Sequence, residues 1–267
     1  MSTGTLYVIA TPIGNLDDLS LRAVALLKQM DLIVCEDTRR SIKLLNHYGV
    51  QRRLESYHEF NETEKAEQLA QKLQSGIRVA LISDAGTPTI SDPGYRLIRE
   101  CRQRGIPVLP VPGPSAAMAA LSASGLPTDE FLFVGFLPAR GKARRKKLES
   151  LKSMTPTIVF YETARRVRSA LADILEIFGN REVLVAREMT KLHETHLFGK
   201  IAEVLPDVTE RGEFVLVVNG AEEEIEESTD VSKLSRQDLL KLAAGRLGIG
   251  KRQLYDLLYK KPSTNDE

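Results

Sequence analysis

The chain has 267 residues, 37 Lys or Arg against 36 Asp or Glu for a formal charge of +1, with 42% hydrophobic and 27% charged residues. That balance excludes a disordered tail protein and a generally cationic nucleic-acid coat, so any basic surface is local. A compact chain of this length buries roughly three quarters of its extended surface and is long for one domain, which favours two α/β lobes.

Apolar runs and amphipathic stretches alternate from the start. Leu6 to Ala10 reads as a strand, Leu19 to Gln29 as a helix, Asp31 to Glu36 as a strand followed by another helix. The rhythm continues through a strand at Ile77 to Ile82, a helix at Pro93 to Arg104 and a strand at Pro107 to Val111. A further helix opens after Pro112-Gly113-Pro114-Ser115, where Pro and Ser suit a helix start. Strands alternating with helices predict parallel pairing with right-handed crossovers.

A second set of strands begins at Phe131 to Phe136 and resumes at Thr157 to Tyr161, Val183 to Ala186 and Phe214 to Val218, with a helix at Arg165 to Phe178. The lobe boundary falls near Gly125-Leu126-Pro127, dividing an N-terminal lobe, 1–124, from a C-terminal lobe, 125–220. Residues 222–227 hold five carboxylates in six positions, and 221–234 reads as an exposed acidic linker. Beyond it, 235–267 forms a small helical module: a capping Ser235, then two helical runs around Gly248-Ile249-Gly250, with Lys251, Arg252, Lys260 and Lys261 on the second. That pattern is similar to a helix-turn-helix and equally suits a helical cap on the body.

The N-terminus lacks the basic region of a signal peptide, and Leu6 to Ala10 is too short to cross a bilayer, so a cytoplasmic protein is expected with no membrane partner. Cys35 and Cys101 fall in apolar runs and are expected to pack as small hydrophobes. Metal binding is not expected: His193 and His196 stand three apart, and the H-E-x-x-H zinc spacing is absent.

Three polar turns follow predicted strands of the first lobe: Thr11-Pro12-Ile13-Gly14-Asn15, the long stretch from Ser83 to Gly94, and Pro112 to Ala116. In a parallel sheet all three reach the same edge, outside the carboxyl ends of the strands, where α/β proteins bind ligands. Neither G-x-G-x-x-G nor G-x-x-x-x-G-K-[ST] occurs, which disfavours nicotinamide and P-loop nucleotide readings.

Taken in order, these turns together with Phe131 to Pro138, Phe160-Tyr161-Glu162 and Gly212 to Val218 resemble the S-adenosylmethionine-dependent tetrapyrrole methylase family, from about Leu6 to Gly220. Cys35 to Arg39, Tyr57 to Glu62 and Thr190 to Glu194 are similar to a subgroup that methylates a cytidine ribose 2′-hydroxyl in the decoding centre of 16S rRNA. The chain departs from that subgroup at Thr163-Ala164-Arg165-Arg166, where Ser-Pro-His-Arg is usual, and at Phe60, where His is usual.

The resemblance implies two α/β lobes with S-adenosylmethionine folded in the cleft between them, a small-subunit 16S rRNA partner and a homodimer. Carried over position by position, Pro12 and Ile13 meet the donor from the first turn, Thr87 and Ile90 from the second, and Ser115 and Ala116 from the third. Tyr161, Ala186 and Phe214 meet it from the second lobe. Asp84 either partners the donor's positive charge or caps its own loop.

Methyl transfer to a ribose oxygen also requires that the hydroxyl lose its proton, and candidate groups near strand ends are His58, Glu62, Glu162, Glu188 and Lys191. Arg140, Lys142, Arg144, Arg145, Lys146 and Lys147, six cations in eight residues, suit a phosphate backbone. The competing readings are a methylase of a porphyrin or corrin ring and a non-catalytic RNA-binding assembly factor.

Overall fold

The computed structural model describes residues 3–222 and 234–259, and the chain divides into two compact units, Met1–Ala221 and Glu222–Glu267. Within the first unit, five strands precede Gly125 and five follow it.

The first sheet is built from β1 (Leu6–Ile9), β2 (Leu32–Cys35), β3 (Leu54–Ser56), β4 (Val79–Ile82) and β5 (Val108–Val111), in the order β3-β2-β4-β1-β5 and parallel throughout. Its central strands are apolar at every position because both faces are covered. Alternate residues go to opposite sides. Leu6, Leu32, Val34, Val79 and Leu81 pack with α3 (Glu62–Gln74) and α4 (Tyr95–Gln103), while Ile9, Ile33, Cys35, Ala80 and Ile82 pack with α1 (Leu21–Leu27) and α2 (Thr38–His47). Both cysteines are free and buried.

The second sheet holds β6 (Phe131–Phe136), β7 (Thr157–Thr163), β8 (Glu182–Arg187), β9 (Thr195–Lys200) and β10 (Glu213–Val218), in the order β6-β7-β10-β8-β9. Only β6 and β7 run parallel; the remaining neighbours are antiparallel. One face is covered by α6 (Gly141–Glu149), α7 (Val167–Phe178) and the short α8 (Ile201–Val204). The other face receives α5 (Ala116–Ser122), which follows β5 of the first sheet: Ala117, Ala120 and Leu121 pack on Val159, Leu184, Ala186, Val215 and Val217. An element that follows the first sheet in the chain thus completes the core of the second, and α5 ties the two lobes together.

Two strands escape the sequence reading. β3 has three half-buried residues, and β9 alternates weakly along an exposed edge, so neither carries the apolar run on which that reading depends. In the second unit, α9 (Arg236–Arg246) is capped by Ser235, whose hydroxyl accepts from the Asp238 N–H at 3.2 Å, and α10 (Lys251–Tyr259) follows. Ala244 and Leu254 are its buried residues among those described. Most of the expected acidic linker, and Lys260 and Lys261, lie outside the described residues.

Candidate active site

The carboxyl ends of β1, β2, β4 and β5 meet the second sheet around a cavity of about 320 Å³. That size suits a small molecule. The first lobe contributes Ile13, Glu36, Arg40, Asp84 to Thr87, Ile90 to Asp92, Ser115 and Ala116; the second contributes Phe136, Tyr161 to Thr163, Glu188, Met189, Lys191 and Glu213 to Val215.

The long loop after β4 is a built structure. Thr11 and Gly86 exchange backbone hydrogen bonds at 2.8 and 3.0 Å, the Thr11 hydroxyl donates to the Ser83 carbonyl at 3.0 Å, and the Ser83 hydroxyl donates to the Gly86 carbonyl at 3.1 Å. Thr87 donates to the Pro114 carbonyl at 3.1 Å, which ties the second turn to the third. At the far end, the Glu62 carboxylate accepts from the Gly94 and Arg96 N–H groups at 3.2 and 3.1 Å, binding the start of α4. Thr89 and Ser91 hold left-handed φ of 74° and 65° without being glycine, a conformation that persists where surrounding contacts enforce it.

Asp84 does not cap its own loop; it reaches across to the neighbouring one. Its carboxylate accepts from the Asp37 N–H at 3.1 Å and pairs with Arg40 at 3.2 Å, anchoring the start of α2, and it lines the cavity. Beside it, burial and the Asp84 charge push the Glu36 carboxyl above the ordinary range. Asp92 is pushed up to about 7, by burial first and then by Glu36 and Asp84.

Across the cavity, the Tyr161 hydroxyl accepts from the Ala117 N–H at 3.2 Å, with Phe133 and Phe136 edge-on to its ring at 5.0 and 5.6 Å. Glu162 has no exposed side-chain surface. One of its oxygens accepts from the Thr163 N–H at 2.9 Å and pairs with Arg166 at 3.1 Å, while Oε1 has no hydrogen-bond partner. A buried carboxylate oxygen left unpaired is costly unless a ligand meets it. Lys191 bridges Glu188 at 2.9 Å and Glu213 at 2.7 Å; burial pulls its ammonium down, and the two carboxylates outweigh that and hold it above the ordinary value.

The expected residues therefore divide. Ile13, Asp84, Thr87, Ile90, Ser115, Ala116, Tyr161 and Phe214 line the cavity. Pro12 and Ala186 do not: Ala186 is fully buried in the core beneath it, where α5 packs. Among the candidate bases, Glu162, Glu188 and Lys191 line it, whereas His58 and Glu62 lie outside its wall. Glu62 is committed to the start of α4, and His58 folds onto Asn61, which meets its ring at 3.2 Å. Lys191 is an unsuitable base, because a lysine must lose its proton to act as one and two carboxylates stabilise its charged form.

The phosphate-binding reading needs a similar correction. Arg144 is buried, donating to Asp173 at 2.7 Å, and Arg145 binds Asp173 at 3.0 Å and Glu176; both join α6 to α7. Arg140, Lys142, Lys146 and Lys147 are exposed. They follow directly on the cavity wall, since Phe136 lines it and the Leu137 carbonyl accepts from Arg166, the partner of Glu162, at 3.3 Å.

Sequence reasoning missed Glu36, Arg40, Asp92, Met189 and Glu213. Glu36 follows β2 as Asp84 follows β4, so the rule about strand carboxyl ends could have found it. Asp92 lay inside the loop already singled out.

A donor with sulfonium and ammonium charges and a flat adenine ring fits these walls: carboxylates on one side, and Ile13, Ala116, Phe214 and Val215 as an apolar bed. The signature of Tetrapyrrole (Corrin/Porphyrin) Methylases matches residues 5–205, and the chain belongs to that family. The fold agrees, since a uroporphyrin-III C-methyltransferase from Thermus thermophilus, solved with S-adenyl homocysteine, superposes with a TM-score of 0.57 at 20% identity, covering 81% of this chain and 97% of that one. Among curated proteins, the chain is 42% identical over 276 residues to Ribosomal RNA small subunit methyltransferase I of Halalkalibacterium halodurans, covering 97% of this chain and 96% of that protein. It is 49% identical over 225 residues to the protein of the same name from Escherichia coli O157:H7, covering 82% and 79%.

Proposed function

We propose that the protein transfers the methyl group of S-adenosylmethionine to the ribose 2′-hydroxyl of a cytidine in the decoding centre of 16S rRNA. The observation that carries this reading is the acidic cavity between the lobes, lined by Asp84, Glu36 and Glu162 and bordered by a basic helix, in a chain so similar to rRNA methyltransferases.

S-adenosylmethionine, when bound, supplies an electrophilic methyl on a positively charged sulfur. Glu36, Asp84 and Glu162 offset the donor's charge, while Ile13, Ala116, Phe214 and Val215 hold its ring. Ser115, Thr87 and Ile90 fix its orientation, and Pro12 and Ala186 support that wall from behind. Orientation matters because in-line displacement gains most of its rate from alignment. Arg140, Lys142, Lys146 and Lys147 hold RNA phosphates, with Arg144 and Arg145 setting the position of their helix. The protein acts as a cytoplasmic homodimer on the small ribosomal subunit, which light scattering and cell fractionation test.

The test is donor binding by calorimetry followed by labelled methyl transfer to 30S particles lacking the modification. Transfer to a ribose 2′-oxygen is the expected result. Tight donor binding without transfer to RNA overturns the reading and returns the ring-methylase and assembly-factor alternatives. The exposed cations of α6 favour RNA over a tetrapyrrole.

A further inference from the structure

The carboxylates that line the cavity are not equally available. Asp84 is held by the Asp37 N–H and Arg40, Glu162 by Arg166 and the Thr163 N–H, and Glu188 by Lys191 and the Glu213 N–H. Glu36 and Asp92 form no ion pair among the described residues, and of the two Asp92 lies on the long loop after β4, where it has a hydrogen bond with the Ser83 side chain. It is half-buried in the cavity wall, two residues after Ile90 and close enough to Tyr161 for its charge to act on that phenol. Ser91, immediately before it, has a φ of 65°, and Gly94 after it is bound by Glu62, so the backbone on both sides is fixed.

We propose that Asp92 is the general base that takes the proton from the ribose 2′-hydroxyl, with Glu36 lining the same cavity. The inference rests on the methyltransferase reading above. The step balances as follows: the O2′–H bond breaks with its proton passing to the Asp92 carboxylate, and O2′ forms a bond to the methyl carbon. The carbon–sulfur bond breaks with its electron pair returning to sulfur, leaving neutral S-adenosylhomocysteine. The proton then passes to solvent.

The electrostatic setting supports the role. The groups facing Asp92 are Glu36 after β2, Asp84 after β4 with Arg40 of α2 beside it, and Tyr161 on β7. Two like charges and burial raise its proton affinity into the neutral range, where a general base works best.

The test joins single-turnover transfer to 30S particles with two readouts that need no turnover. Asp92→Asn is expected to slow transfer by about a hundredfold or more, with donor affinity by calorimetry within threefold of wild type. Asp92→Glu should recover part of the rate, which keeps the test valid if the Asn variant folds poorly. In the ligand-free protein, carbon-13 carboxyl NMR should find Asp92 titrating near neutrality, and Glu36→Gln should move that titration, and the acidic limb of the rate profile, to lower pH. An Asp92→Asn rate within threefold of wild type, or a Glu36→Gln limb that does not move, overturns the assignment. Absence of RNA methylation by the wild-type protein is a separate failure, that of the proposed function.

Discussion

The loops after β4 and β8 close the same cavity from opposite lobes, and they are the only described segments with non-glycine residues at positive φ: Thr89 and Ser91 on one, Glu188 and Thr190 on the other. Each pair is separated by a single residue, yet the two loops are held in place by different forces. The first is stitched mainly by neutral hydrogen bonds among Thr11, Ser83, Gly86, Thr87 and Pro114. The second relies on charge: Lys191 between Glu188 and Glu213, and the Glu194 carboxylate accepting from the Thr190 N–H at 2.8 Å. Neutral contacts within a lobe are insensitive to salt, whereas partly exposed ion pairs weaken with it. One wall is therefore insensitive to salt, and the other responds to it.

The comparison breaks most severely where each loop meets the opposite lobe. Gly135 has a φ of 73°, and an added Cβ would stand 3.0 Å from the Ser91 hydroxyl; at Gly14 it would stand 3.0 Å from the Met189 carbonyl and closer to Thr190. Gly135→Val should cost about 2–3 kcal/mol of stability and weaken donor binding at least tenfold by calorimetry. Gly14→Val should do the same through the second loop, where the added Cβ also crowds the Lys191 side chain.

Next in size is a pH effect confined to the first loop. The folded state holds the Asp92 proton more tightly than the unfolded chain, so the contribution of this group to stability is fully present below about pH 4 and is lost as pH rises to about 7. Asp92→Asn should remove that decline, making the variant more stable than wild type above pH 7 by roughly 1–2 kcal/mol once solvent screening is allowed for. Urea unfolding at pH 4.5 and pH 8 measures it.

Lys191→Met should cost about 1 kcal/mol and flatten the dependence of melting temperature on sodium chloride. An unchanged salt dependence would mean that charge does not hold the second loop. Smallest is the relief of backbone strain. Thr89→Gly should gain about 0.5–1 kcal/mol, whereas Thr190→Gly should gain almost nothing, because it also removes the hydroxyl that accepts from the Asn15 N–H at 3.0 Å.

What could be read from the sequence follows from how each part is stabilised. Strands buried on both faces, such as β1, β2 and β4, announce themselves as apolar runs, and the turns after β1, β4 and β5 identify the ligand edge without further help. β3 and β9 are edge strands whose pairing is tertiary, and the antiparallel order of the second sheet joins strands far apart in the chain. At the site, residue type located Asp84, and the family resemblance located Tyr161. Residue type could not reveal that Arg144 would be drawn into the lobe by Asp173, or that Glu62 would be spent on the start of a helix 32 residues away.

The edge strands of the first sheet have a consequence of their own. β5 carries Pro110 opposite Val8, and at the far side β3 is only three residues long. A proline has no N–H to offer an incoming strand, and a three-residue edge gives one little to pair with. Neither margin of this sheet can be extended by another chain. The lobe that carries most of the donor-facing loops is thereby protected from edge-to-edge aggregation while the chain folds.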